Sequence, residues 1–168
     1  MDATALRAMQ APLKDRYKGD PKSAYITLKA KGTLDDTHIA CKVETGRALA
    51  VAGLHPATGG SGLELCSGDM LLEALVACAG VTLKAVATAI DIPLKSGRVS
   101  AEGDLDFRGT LGVVKDAPVG FKTIRLRFDL DTSASEEQLA TLLKLTERYC
   151  VVAQSLRQPP AFTVRRAA

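Results

Sequence analysis

The sequence predicts an α+β domain, and three observations carry that prediction. Short runs rich in β-branched and apolar residues recur near both ends of the chain, as strands require. Two longer stretches, 67–90 and 135–156, instead repeat their apolar residues at helical spacing. Glycine, aspartate and proline clusters separate these segments, and 168 residues suffice for one core without staples.

The elements follow in order. Residues 2–18 are charged and helix-prone around Pro12, and Gly19-Asp20-Pro21 ends them, so a peripheral helical arm over 1–22 is expected. Residues 24–30, 37–44 and 47–52 read as a three-stranded antiparallel meander with a turn at 32–36. Cys41 falls inside one of these strands, where a free thiol behaves as a small hydrophobe. The glycine-rich run 55–68 fits neither a P-loop nor a dinucleotide fingerprint, and Gly59-Gly60-Ser61-Gly62 is read as room for a turn. His55 is read there as a structural histidine.

The first long helix should start at Ser67 or Asp69 and stop at Asp91-Ile92-Pro93. At 100° per residue Leu71, Leu75, Cys78, Thr82 and Ala85 share a face expected to point inward. Glu73, Ala77, Lys84 and Thr88 form the expected solvated stripe. Residues 98–107 and 120–131 read as strands, the second with clean alternation, and the connection 108–119 is long enough to suggest flexibility or partner contact. The second helix opens at Ser133-Ala134-Ser135-Glu136-Glu137, and Leu139, Leu142 or Leu143, Thr146, Cys150 and Ala153 recur along it. Residues 162–165 can form a last strand after Pro159-Pro160.

Composition excludes several functions. A net charge of +3 from basic residues scattered among acidic ones offers no coherent groove for nucleic acid. Aromatics at 4%, with no tryptophan, leave no base-stacking platform. The stretch 70–90 has the length of a membrane span, but Glu73 and Lys84 would each cost roughly 2.5–3.5 kcal/mol near a bilayer centre, so a buried core helix is expected. The N-terminus lacks the apolar core of a secretory signal, which makes a cytoplasmic protein with reduced thiols the expectation. The four cysteines, Cys41, Cys66, Cys78 and Cys150, include no CxxC pair, and His38 and His55 are the only histidines. No metal, flavin or nicotinamide site is expected, and unusual chemistry must run through sulfur.

Around two of these cysteines the sequence resembles the OsmC-like family of thiol proteins. The family setting L-x-A-L-x-x-C is matched by Leu72-Glu73-Ala74-Leu75 leading to Cys78. The later setting E-x-x-C-x-V-x-x-x-L is matched from Glu147 through Cys150 and Val152 to Leu156. The resemblance extends over about 24–164, leaving the N-terminal arm outside. It implies one OsmC-like domain over 1–168, with antiparallel sheets packed on two long central helices and an intertwined homodimer.

The resemblance also implies chemistry. Active members reduce organic hydroperoxides with a peroxidatic cysteine on the first helix and a resolving cysteine on the second, which here are Cys78 and Cys150. An external dithiol would return the pair to its reduced state. Such chemistry needs a cation beside the first sulfur, and Arg47 is the candidate. Arg148 adjoins the second setting but is expected to face away from Cys150. Family peroxidases hold a glutamate just ahead of the cysteine helix; the matching position is Gly68, while Asp69 is expected to cap the helix. Cys66, in the loop before that helix, is a possible second redox partner or a plain loop residue. The leading expectation is therefore a thiol-dependent hydroperoxide reductase. The alternative is a non-catalytic OsmC-like protein that binds a small apolar or thiol-reactive ligand.

Overall fold

The structure, a computed structural model, describes residues 3–34, 41–43, 53–63 and 66–167. Its elements in chain order are α1 (Ala3–Gly19), β1 (Tyr25–Leu34), β2 (Cys41–Val43), α2 (Ser67–Ala89), β3 (Ser96–Asp106), α3 (Phe107–Thr110), β4 (Thr123–Asp131), α4 (Glu136–Tyr149), α5 (Val151–Ser155) and β5 (Ala161–Arg166). The five strands form one sheet in the order β2-β1-β3-β4-β5. The expected strand at 47–52 lies outside the described residues, as does His38.

Two compact units can be distinguished. The first gathers Met1–Leu28, Arg47–Met70 and Gly103–Thr123; the second gathers Lys29–Gly46, Leu71–Glu102 and Ile124–Ala168.

In the first unit the expected N-terminal arm is one continuous helix, α1, that contains Pro12. Tyr17 is fully buried, and its hydroxyl donates to the Ala57 carbonyl at 2.6 Å, fastening the helix to a 3-10 turn at Pro56–Thr58. The glycine run after that turn is a steric device. Gly59 and Gly62 adopt φ of 91° and 76°, and a Cβ on Gly60 would lie 1.6 Å from the Leu54 carbonyl oxygen. α3 opens the connection 108–119, Leu111 is buried within it, and Gly109 lies so close to the Pro118 carbonyl that a Cβ would meet it at 2.5 Å. Phe121 precedes β4 and lies over Gly103, which leaves room for its ring.

In the second unit β1 pairs antiparallel with β2, Gly32 facing Val43, so the expected turn at 32–36 is strand as far as Leu34. The last pair departs from the antiparallel expectation. β5 runs parallel to β4, with Leu126 beside Phe162 and Phe128 beside Val164. The reason is topological: α4 and α5 carry the chain from one strand to the other, the crossover that parallel pairing requires. Strict alternation along β4 buries Ile124, Leu126, Phe128 and Leu130.

The long helix α2 buries Leu72, Leu75, Val76, Ala79, Gly80, Leu83 and Ala87. Removing a leucine such as Leu83 from water contributes about 1.5–3 kcal/mol. Of the face expected to point inward, Leu71, Leu75, Cys78, Thr82 and Ala85, only Leu75 is fully buried. Leu71 is 37% exposed and Cys78 only half-buried. The helix is apolar almost all round, so its periodicity could not select a face. The same composition makes α2, by length and hydropathy, the one described helix able to cross a membrane. It ends at Ala89, just before the expected stop at 91–93; Asp91 takes φ of 53°, and the Ile92 N–H bonds the Ala87 carbonyl and closes the terminus.

Helix α4 starts with a capping box in which Ser135 Oγ accepts from the Gln138 N–H and Gln138 Oε1 accepts from the Ser135 N–H. The second long helix does not continue as expected. It stops at Tyr149, Cys150 takes ψ of 103°, and a separate five-residue helix follows. Leu139, Leu142, Thr146, Cys150 and Ala153 are nonetheless all buried.

Candidate functional site

The second unit brings together two of the three residues expected at the site. Cys150 sits at the corner between α4 and α5, fully buried, with its N–H on the Thr146 carbonyl and its own carbonyl accepting from the Gln154 N–H, both at 2.9 Å. Its sulfur is within hydrogen-bonding reach of the Cys78 sulfur on α2. The residues are 72 positions apart in the chain (150 − 78) and on different helices. Both are free thiols.

The pair is asymmetric. Burial, the hydrogen bond to Cys78 and the charge Cys78 can carry push the Cys150 thiol from 9.0 up to about 11, against a smaller downward pull from the Ala153 and Val152 N–H groups. These N–H groups begin α5 and face the sulfur without a formed side-chain cap. Cys150 therefore keeps its proton at neutral pH, whereas Cys78 is the sulfur that solvent partly reaches. One accessible and one protonated, sheltered thiol in contact can undergo two-electron oxidation to a disulfide or retain a thiol-reactive ligand.

The other sequence candidates fall elsewhere. Arg47 lies outside the described residues. Arg148 is exposed, with its guanidinium 5.6 Å from the Tyr149 ring centroid. Cys66 is half-buried just ahead of α2, and its carbonyl accepts the Met70 N–H at 3.0 Å. Cys41 lies in β2. Gly68 stands in the first turn of α2.

Asp69 is inside that first turn, not at the cap, because the helix already begins at Ser67. Burial raises its carboxyl while the charge of His55 lowers it; burial lowers His55 while Asp69 raises it. His55 is structural, as expected. Its Nδ1 accepts the Ala57 N–H at 3.0 Å, and its ring stacks on Phe107 with centroids 4.9 Å apart.

A polar cluster that the sequence reading missed occupies the first unit. The Asp106 side chain is 1% exposed and takes bonds from Arg108 Nε at 3.0 Å and Nη2 at 2.6 Å. Arg108 Nη2 also donates to the Tyr25 hydroxyl at 3.2 Å, and Lys122 Nζ lies 4.4 Å from the Tyr25 ring centroid. Asp104 accepts from Thr27 at 2.9 Å and Thr123 at 2.6 Å beside a small cavity of about 190 Å³. Alternation gave no signal for it: Asp104 and Asp106 continue the polar register of Arg98, Ser100 and Glu102 along β3, and only the fold buries Asp106. Among the described residues no group of three or more His, Cys, Asp or Glu side chains could hold a metal ion.

One sheet with helices before and between its strands defines an α+β protein, and the comparisons say which family it falls in. A family model described as OsmC-like protein matches residues 59–165, and the chain belongs to the OsmC-like family. Three solved structures share the fold. An OsmC-like protein from Mycoplasma pneumoniae is 16% identical with TM-score 0.56, covering 85% of this chain and 95% of its own. An OsmC-like hydroperoxide resistance protein from Jannaschia sp. is 14% identical with TM-score 0.58, covering 82% and 90%. An organic hydroperoxide resistance protein OsmC from Legionella pneumophila is 15% identical with TM-score 0.56, covering 85% and 97%. At these identities the likeness is one of fold. No curated protein matches the sequence.

Proposed function

We propose that this protein is a thiol-dependent peroxidase that reduces organic hydroperoxides through Cys78 and Cys150. The observation that carries the reading is the contact between a half-buried Cys78 sulfur and a fully buried Cys150 thiol. The names of two fold relatives, both hydroperoxide resistance proteins, favour the same chemistry.

In the proposed cycle the Cys78 thiolate attacks the terminal peroxide oxygen. The O–O bond breaks, the alkoxide leaves as the alcohol after taking up a proton, and Cys78 becomes a sulfenic acid. The Cys150 sulfur then attacks the Cys78 sulfur; the S–O bond breaks, the hydroxyl departs with the Cys150 proton as water, and a disulfide forms. An external dithiol reduces that disulfide by two exchange steps. Such a cycle belongs in a reducing cytoplasm.

The protein would act as a homodimer. Leu71, Ala74, Cys78 and Val81 recur at i, i+3, i+7 and i+10 on one face of α2, and Leu71 and Val81 are 37% and 38% exposed. An apolar stripe of that kind is suited to burial against a second copy. Sedimentation equilibrium should give twice the chain mass, and Leu71→Glu should return a monomer.

The test of activity is consumption of tert-butyl hydroperoxide coupled to a dithiol. Wild-type protein should turn over many equivalents, and a rate equal to that of free cysteine would overturn the reading. A ligand-binding protein without turnover is the second reading, favoured by Gly68 where family peroxidases hold glutamate. Thiol titration near neutral pH separates the two: a peroxidase should give one fast thiol, a binder four slow ones.

A further inference from the structure

The second sulfur is aimed by a corner, and one side chain spans that corner. In an uninterrupted helix the Glu147 carbonyl would accept the Val151 N–H four residues on. Cys150, at ψ of 103°, turns the chain before that bond can form, leaving the carbonyl among the orphan acceptors of a helix end. Gln154 Nε2 donates to it at 2.9 Å. The Gln154 main-chain N–H meanwhile donates to the Cys150 carbonyl at 2.9 Å. Gln154 thus binds the residue that makes the corner through its backbone and the preceding helix through its side chain.

The fold gives this strap little redundancy. α5 has five residues, too few to hold its own direction, and Ala153 is its buried residue. Ser155 Oγ donates to the Val151 carbonyl at 2.7 Å within α5 and does not reach back across the corner. The direction of α5 in turn places the Val152 and Ala153 N–H groups at the Cys150 sulfur.

We propose that Gln154 is a positioning residue for Cys150, whose side-chain amide holds the α4–α5 corner so that the buried sulfur stays in register with Cys78. This deepens the peroxidase reading by assigning Gln154 to the resolving step. In the resolving step the S–S bond requires the two sulfurs to meet at about 2.05 Å with a restricted dihedral, so looseness at the corner slows closure.

The experiment measures disulfide closure with and without peroxide. Diamide, a diazene oxidant, joins the two thiols directly: it takes two electrons and two protons and becomes the hydrazine. Closure by diamide is followed in wild type, Gln154→Glu, which keeps the shape but loses the donor, and Gln154→Lys, which restores one. Closure should slow about threefold to tenfold in Gln154→Glu, the span expected of one hydrogen bond, and recover in Gln154→Lys. Dimedone trapping after one equivalent of tert-butyl hydroperoxide should capture more Cys78 sulfenic acid in Gln154→Glu than in wild type. Diamide closure at the same rate in wild type and Gln154→Glu overturns the positioning role, as does slowing that Gln154→Lys shares. A merely structural role would lower the melting temperature of Gln154→Glu without changing closure, which also overturns it. If diamide closure slows as expected but wild-type protein forms no sulfenic acid with peroxide, the positioning role stands and the peroxidase reading falls.

Discussion

Two clusters of reactive side chains in this protein are built on opposite terms. In the first unit, charges are answered where they stand: Asp106 is held by Arg108, and Asp104 takes hydroxyls from Thr27 and Thr123. Hydrogen bonds from Arg108 hold the Asp106 carboxyl below its ordinary range. In the second unit, the contact is between two thiols, one sheltered and protonated and one half-buried. The first arrangement makes ionised groups comfortable and inert. The second keeps an oxidisable pair in contact and leaves its bond unmade. The proposed chemistry rests on the second arrangement, an incomplete contact, and not on the density of polar groups in the first.

The sharpest way to break this comparison is reciprocal substitution. Cys78→Ser should reduce hydroperoxide turnover to the uncatalysed background, while Tyr25→Phe, which removes a hydroxyl from the first cluster, should leave turnover within about twofold. A coupled peroxidase assay on both proteins measures this. Loss of turnover in Tyr25→Phe would place chemistry in the first unit and undo the contrast.

The two clusters should also fail at opposite ends of the pH scale. Cys150 is raised in the folded protein, from 9.0 to about 11. Its contribution to stability is complete below pH 9 and is lost as pH rises towards 11, because the unfolded chain ionises first. Two pKa units correspond to roughly 2–3 kcal/mol. Asp106 is lowered from 3.8, so its contribution is complete above that pH and is lost as pH falls through the depressed value. Urea unfolding of the reduced protein over pH 2.5–11, about the span between these limits, checks both arms. Cys150→Ala should flatten the alkaline arm alone, and Asp106→Asn the acid arm alone.

A smaller effect tests the scaffold of the first unit. Tyr17→Phe leaves the buried Ala57 carbonyl without its donor and should cost roughly 1.5 kcal/mol. Denaturant titration measures the loss, and the rate of Cys78 oxidation should not follow it.

How much of this was legible in the sequence depends on how local each cause is. The α2 span, the strand at β4 and the capping start of α4 are written in neighbouring residues, and the structure follows them. The two family settings around Cys78 and Cys150 named the residues whose sulfurs meet. What failed was non-local. The buried face of α2 was misjudged because an all-round apolar helix takes its orientation from its neighbours. The parallel β5 depends on where a crossover delivers the chain. The break at Cys150 carries no proline or glycine, so no local signal announced it, and helical spacing through Ala153 concealed it. Asp106 and Arg108 are two residues apart yet read as surface charges, since only the fold buries the carboxylate.

The smallest predicted effect concerns the two ends of α4, which repeat the comparison within one helix. Its start is over-determined: the Ser135 and Gln138 side chains answer each other's backbone, and Glu136 and Glu137 complement the dipole. Its end is left open, closing on Cys150 and on a glutamine borrowed from the next helix. Ser135→Ala should therefore cost about 1 kcal/mol in global stability, as loss of a cap does, and leave disulfide closure by diamide at the wild-type rate. Gln154→Glu should do the reverse, with a small stability loss and a clear closure defect. If Ser135→Ala slowed closure as much as Gln154→Glu, the whole helix would be aiming the sulfur, and the corner would lose its separate role.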